Sequence, residues 1–349
     1  MIGAALTALT AHALGVGAEI PALSTEQWER VFTMACHQNV AALVADHVAD
    51  APLAVRLKFA AAKEKESARF DRYCNAVAKL LVFFNSHGID TMLLKGIDIC
   101  RHYPQPSLRH TSDIDIYQFG RHKEADALVS KELHKHIDNR SLHHSKYSVD
   151  GILVENHYEI VSHHVSRDGK RMDAVLRTLA DASTQPFAVG GQRCLLPQPA
   201  FTALFLMRHA AAHFAADRVT LRHLTDWVLF CRAEGGNIDW EMVRDTATRF
   251  GFLPFAEGFE SICQSYFGHT PRIGTRNDIA TRMLNEMLYE RMERDVPSPS
   301  QIMKRLAFKH KRFHAAKWKY ELCASSTPWR AVVWHHYVSK VVKPHTILH

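Results

Sequence analysis

Apolar residues recur at helical spacing through the first quarter of the chain. Ser24 is in position to cap a helix that carries Trp28 on its apolar face. Pro52 is in position to open a longer helix that ends before Gly88. We therefore predict a helical region over residues 1–87.

The pattern then changes to short apolar runs. Residues 89–94 and 114–117 predict strands, and residues 123–136 have helical spacing. An Asp-Gly pair at 150–151 and a Gly-Gly pair at 190–191 each lie between apolar runs, and each predicts a β-hairpin. These elements indicate a small mixed sheet.

Helical spacing returns after the second predicted hairpin, in segments 201–214, 219–233, 240–250 and 278–291 and from residue 300 onward. The order of helices, sheet and helices indicates an α+β fold. We predict four regions: N-terminal helices over 1–87, the mixed-sheet core over 88–197, helices that close a cleft over 198–300, and a basic helical tail over 301–349.

The composition is that of a folded intracellular protein. With 349 residues, 47% apolar and 23% charged, the chain is neither disordered nor fibrous. Its seven cysteines are dispersed and form no CxxC pair, which favours a reducing cytoplasm. Residues 1–18 carry no Lys, Arg, Asp or Glu, so we expect neither a signal peptide nor a membrane span.

Positive charge is concentrated in the tail. Residues 301–349 contain ten Lys or Arg against one acid, Glu321. Such a run is most often a solvated face, and it also attracts phosphate, nucleic acid or anionic lipid. We expect the tail to pack against the body and to offer a surface to an anionic partner.

Two aspartates lie two residues apart on the second predicted strand. Asp113 and Asp115 share one face, while Ile114 and Ile116 point toward the core. Charges about 5 Å apart at an effective dielectric near 20 repel by roughly 3 kcal/mol. A hard divalent ion, Mg²⁺ or Mn²⁺, would offset this repulsion. A solvated pair at a sheet edge is the alternative.

The residues near this pair favour a phosphate site. Lys95 and Gly96 lie between a predicted strand and a short helix, where backbone N–H groups and an ammonium can receive an anion. Arg109 has the planar fork that binds phosphate with two hydrogen bonds, and Ser112 adds a hydroxyl.

These motifs together resemble a known family. The strings LLKG at 93–96, YP at 103–104 and RHTSDIDI at 109–116 are similar to the uncharacterised nucleotidyltransferase family of the polymerase-β-like superfamily. Later in the chain, Glu155 and His157 resemble that family's Asp and His two residues apart on a following strand. The likeness spans about residues 78–232.

The chain departs from the family pattern at three positions. Ser112 replaces a glycine, Ile97 stands where many members of the superfamily have serine, and Glu155 replaces an aspartate. The extra methylene of glutamate moves its carboxylate by about an ångström, a shift to which catalysis is sensitive.

The resemblance implies a nucleotidyltransferase core and Mg²⁺-dependent transfer of NMP from an NTP to a hydroxyl of a protein, small molecule or RNA, with release of pyrophosphate. It implies metal-binding and catalytic roles for Asp113, Asp115 and Glu155. It implies nucleotide-binding roles for Lys95, Gly96, Arg109, Ser112 and His157.

Histidines form a further pattern. His209 and His213 lie one helical turn apart, and with Asp226 they predict either a buried hydrogen-bonded cluster or part of the pocket wall. Histidines also occur in pairs at 143–144 and 163–164, where surface or packing positions are more typical than a zinc site.

Two other functions remain open. A non-catalytic NTP-binding interaction module would keep the pocket and use the basic tail to dock a partner. A glycosyltransferase would use D-x-D for a nucleotide sugar. That class usually has a long nucleotide-binding α/β half before its D-x-D, whereas mostly helical sequence precedes Asp113 here.

Overall fold

A six-stranded mixed sheet lies among helices in the computed structural model, which describes residues 1–141, 143–161, 167–216, 219–289 and 302–342. The predicted α+β class is confirmed. The strands are β1 (Met92–Leu93), β2 (Asp113–Tyr117), β3 (His144–Val149), β4 (Ile152–His157), β5 (Thr184–Val189) and β6 (Gln192–Pro197). Their order across the sheet is β3-β4-β2-β1-β6-β5.

The two predicted hairpins form the two ends of the sheet. Strands β3 and β4 pair antiparallel, as do β5 and β6, while β2–β4 and β1–β6 are parallel pairs. Asp150 and Gly151, between β3 and β4, have φ of 50° and 77°. A tight two-residue turn with both φ values positive matches the right-handed twist of the strands that it joins.

Helices precede, interrupt and follow the sheet. Those before β3 are α1 (Ile2–Ala13), α2 (Thr25–His37), α3 (Ala41–Val44), α4 (Leu53–Ser86), α5 (Ile97–Cys100) and α6 (His122–Glu132). Those after β4 are α7 (Arg167–Ala182), α8 (Pro199–Ala216), α9 (Leu221–Glu234), α10 (Trp240–Arg249), α11 (Leu253–Phe267), α12 (Asn277–Tyr289), α13 (Ile302–Ala315), α14 (Lys317–Cys323) and α15 (Trp329–Val342).

Local chemistry explains the first helix boundaries. Ser24 accepts a hydrogen bond from the Gln27 backbone, and the Gln27 side chain bonds back to the Ser24 N–H, which satisfies two otherwise unpaired donors. Pro52 precedes α4 directly, as predicted. Helices α7 and α11 were not predicted from the pattern, and the predicted helix over 278–291 is described as far as Tyr289.

Two hydrophobic clusters hold the molecule together. One contains most of the helices, and the other lies between α4, α6 and one face of the sheet. Alternation along β2 assigns Ile114 and Ile116 to the second cluster, while Tyr117 belongs to the first. The aspartates of β2 therefore face the opposite side of the sheet, toward the first cluster.

The basic tail packs on the body through α14. Lys319 is buried and pairs with Glu286 at 2.5 Å, and Trp318 packs against Phe214 of α8. Helix α15 leaves Trp334 69% exposed, and residues 343–349 lie outside the described part of the chain. Among the helices that the structure describes, none combines the length and apolar character needed to cross a membrane.

Candidate active site

Three carboxylates meet where β2 and β4 lie side by side. The parallel register aligns Asp115 with Glu155, and Asp113 lies two residues earlier on the same face. One oxygen from each carboxylate lies within 4.8 Å of the others. Asp115 is only 2% exposed, while Asp113 and Glu155 are partly exposed. The pair and the third acid predicted from sequence thus form one cluster.

Positive and polar groups neutralise this cluster. The Lys95 Nζ lies 3.2 Å from Asp115 Oδ2, and the Lys146 Nζ lies 2.7 Å from Glu155 Oε1. The His157 Nε2 lies 3.0 Å from Asp115 Oδ1. Burial alone would raise the pKa of Asp115, but Lys95 and His157 together hold that pKa well below its usual value. The carboxylate is therefore ionised.

A hard metal ion fits the three acids. Asp115 Oδ2 is buried and lies 3.2 Å from the Lys95 ammonium. Ser112 donates a hydrogen bond of 2.7 Å to Asp113 Oδ1 and so orients that carboxylate. Oxygen-only ligands from Asp113, Asp115 and Glu155 suit Mg²⁺ or Mn²⁺.

The turn between β1 and α5 places Lys95 beside the cluster. Gly96 has φ of 69°, a left-handed conformation that disfavours a side chain. A Cβ atom there would also overlap the Tyr73 hydroxyl of α4. Backbone conformation and close packing therefore both favour glycine at this position. From the sequence, glycine was expected here only because it lets a phosphate approach the backbone.

Two neighbouring cavities adjoin the acids. A polar cleft of about 190 Å³ is lined by Lys95, Gly96, Ser112, Asp113 and Arg222 among others. A larger cavity of about 450 Å³ shares Lys95 and Asp113 with the cleft. It has the three carboxylates and His157 on one side and Phe205, Ile160 and Val161 among its apolar lining.

Arg109 lies at the cleft but is held by an acid. It is 3% exposed, and its Nε and Nη2 donate hydrogen bonds of 2.7 and 2.9 Å to the two oxygens of Asp226. Tyr103 donates a third bond, of 2.7 Å, to Asp226 Oδ1. Although burial favours the neutral acid, Arg109 holds the pKa of Asp226 below its usual value. The role of Arg109 toward phosphate stays a prediction.

Three imidazoles from α8 and α9 line the polar cleft together with Lys95. The His209 and His213 rings on α8 are 4.3 Å apart, and His223 on α9 is 6.4 and 6.2 Å from them. Burial, with smaller contributions from neighbouring cations such as Lys95, lowers the pKa of His209 and of His223 well below the usual value. His209 and His213 line both cavities, whereas Asp226 is engaged by Arg109 instead.

Sequence reasoning did not identify three residues of the site. Lys146 pairs with Glu155, and Arg222 and His223 line the cleft. The position of Lys146 could have been predicted, because the turn at 150–151 sets the hairpin register, and that register places Lys146 opposite Glu155. Of the paired histidines, His144 lies in the larger cavity, while 163–164 lie outside the described residues.

Comparisons with known proteins give a family and two distant structural likenesses. The family model for uncharacterised nucleotidyltransferases matches residues 24–268. No curated protein matches the chain. The solution structure of the antibiotic-resistance factor ANT(2'')-Ia is similar at 11% identity and a TM-score of 0.37, over 51% of this chain and 90% of that one. An antigenic nucleotidyltransferase-like protein from Paracoccidioides brasiliensis is similar at 16% identity and a TM-score of 0.34, over 47% and 77%.

Proposed function

Because the chain belongs to the uncharacterised nucleotidyltransferase family, we propose that it transfers NMP from an NTP to a hydroxyl acceptor and releases pyrophosphate. The observation that carries this proposal is the convergence of Asp113, Asp115 and Glu155 on one wall of a cavity, with oxygens within 4.8 Å of one another. The acceptor is a protein, a small molecule or RNA.

The three carboxylates would hold the divalent ions of the reaction, Mg²⁺ or Mn²⁺. Ions bound there neutralise charge on the attacking and leaving oxygens of an in-line displacement. His157 lies beside Asp115, with its Nε2 3.0 Å from Asp115 Oδ1 and its Nδ1 3.1 Å from the Glu159 carbonyl oxygen. The β2–β4 register places Glu155 beside Asp115, although glutamate has one methylene more than the aspartate that is usual in the family.

The polar cleft suits the triphosphate. Lys95 supplies an ammonium at the boundary between cleft and cavity, and Arg222 adds a guanidinium on the α9 side. Gly96 and Ser112 line the same cleft, as does Arg109, whose guanidinium is paired with Asp226. These groups bind and orient an anion, because cations in a partly closed cleft are less screened than on an open surface.

The larger cavity suits the acceptor. Its volume of about 450 Å³ lies within the range of small-molecule sites. The carboxylates line one side, so a hydroxyl bound there lies beside the acids that would hold the ions. Phe205 and Ile160 on the apolar side restrict water, which would otherwise compete as an acceptor.

Labelling with α-³²P-NTP in the presence of Mg²⁺ or Mn²⁺ and cell lysate tests the proposal. The double variant Asp113→Asn with Asp115→Asn is expected to lose labelling, because it removes two of the three anionic ligands. Asp150→Asn is the control, since this exposed acid pairs with Lys79 at the far end of the hairpin. Undiminished labelling by the double variant contradicts the proposal. NTP binding without turnover or Mg²⁺ dependence would favour the interaction module.

Location and partner are further parts of the proposal. The seven cysteines are free thiols, which is in keeping with a reducing cytoplasm. The exposed basic side chains of the tail, such as Lys311 and Lys317, support docking of an anionic partner there.

A further inference from the structure

A second group of metal-binding side chains lies next to the three acids. His144, Glu155 and His157 each place one ligand atom within 4.8 Å of the others. The β3–β4 register sets His144 directly opposite His157, and Glu155 is two residues from His157 on the same face. The group therefore lies on paired strands and needs no loop to assemble it.

His144 has unused binding capacity. It is 5% exposed, and neither ring nitrogen has a hydrogen-bond partner within the described ranges. Its Nε2 points toward the group and lies 3.6 Å from Glu155 Oε1. Buried polar atoms in folded proteins are nearly always satisfied, so a ring without partners beside a carboxylate indicates a ligand between them.

His157 is oriented as metal-binding histidines usually are. Its Nδ1 lies 3.1 Å from the Glu159 carbonyl oxygen, which can only accept, so Nδ1 carries the proton. Its Nε2 faces the neighbouring carboxylates and lies 3.0 Å from Asp115 Oδ1 and 3.9 Å from Glu155 Oε2. A backbone carbonyl on the second nitrogen is the common support for a metal-bound imidazole.

We propose that His144, Glu155 and His157 bind one divalent transition-metal ion of the zinc class, separate from the hard ions at the aspartates. Two imidazoles and one carboxylate are a ligand set that suits Zn²⁺ or Co²⁺ and that Mg²⁺ disfavours. Three protein ligands leave a coordination position for a small ligand in the larger cavity. Glu155 belongs to both groups.

Metal titration of the full chain without nucleotide tests this site. The chelator-treated protein is titrated with Zn²⁺ by calorimetry and with Co²⁺ by visible absorption, which reports on imidazole ligation. We expect His144→Ala to weaken binding at least tenfold, since even loss of an outer partner of a metal ligand costs about 10–100-fold. His144→Gln keeps the side-chain volume and should show the same loss if alanine disturbs folding.

Two variants separate this site from its neighbours. His143→Ala removes the adjacent histidine, and Asp113→Asn removes an acid that belongs only to the other group. Both should keep the Zn²⁺ affinity and the Co²⁺ spectrum, and millimolar Mg²⁺ should not displace Co²⁺. Equal Zn²⁺ binding by the wild type and both His144 variants overturns the proposal, as does loss of the Co²⁺ spectrum on adding Mg²⁺. Neither readout depends on nucleotidyl transfer.

Discussion

The buried pair of Arg109 and Asp226 joins the segment before β2 to helix α9. Asp226→Asn keeps the shape of the side chain but leaves the Arg109 guanidinium, which is 3% exposed, without its counter-charge. Removing one partner of a buried ion pair usually costs about 3–5 kcal/mol. At about 2 °C per kcal/mol for a chain of this size, we expect the Tm to fall by about 6–10 °C.

Thermal unfolding followed by far-UV circular dichroism measures this loss. Arg109→Met should lower the Tm comparably, and combining it with Asp226→Leu should restore part of the loss, because neither charge is then stranded. Arg121→Met is the matched control, since its pair with Glu124 is exposed. If Asp226→Asn lowers the Tm no more than Arg121→Met does, the pair does not stabilise the fold as reasoned.

The stability that the Arg109–Asp226 pair contributes should decrease at low pH. Because the pKa of Asp226 is lowered on folding, its stabilisation is complete above the unfolded value of about 4 and is lost as the pH falls through the folded pKa. The difference in Tm between the wild type and Asp226→Asn should therefore shrink only below about pH 4. A difference that shrinks between pH 6 and 8 would point to another group.

Two further substitutions test other parts of the site's support. Gly96→Ala should lower both the Tm and NTP labelling, because its φ of 69° disfavours a side chain and the new Cβ overlaps the Tyr73 hydroxyl; Tyr73→Phe in the same chain should recover part of the Tm. Burial raises the pKa of Asp98 to about 6 despite its contact with Arg101. Between about pH 4 and 6, the Asp98 carboxyl is therefore more protonated in the folded state than in the unfolded state. Urea titrations should show the wild type losing stability relative to Asp98→Asn as the pH rises through that range.

Local patterns were enough to predict the strands that carry the acids. The alternation from Asp113 to Ile116 assigns each side chain to a face, because successive residues of a strand point to opposite sides. A two-residue turn at 150–151 fixes the register of the hairpin, which then sets Lys146 opposite Glu155. These contacts follow from the sequence once the turn is recognised.

Contacts between distant segments could not be predicted in this way. Arg109 and Asp226 are 117 residues apart, and a guanidinium binds a carboxylate with the same two-bond geometry that it uses for a phosphate. Helix α11 was missed for another reason. It buries apolar residues on several sides, and Gly258 contacts Met283 of α12, so its sequence has no single apolar stripe.

Helix α4 is shared by both hydrophobic clusters. Its 34 residues extend over about 51 Å, with Val55 and Phe59 among the N-terminal helices and Leu80 and Phe84 beneath the sheet. Loss of either cluster would expose apolar residues of the same continuous helix, so melting at one end withdraws support from the other. We therefore expect unfolding of the N-terminal helices to lower the stability of the carboxylate-bearing strands as well, because one continuous helix carries apolar residues of both clusters.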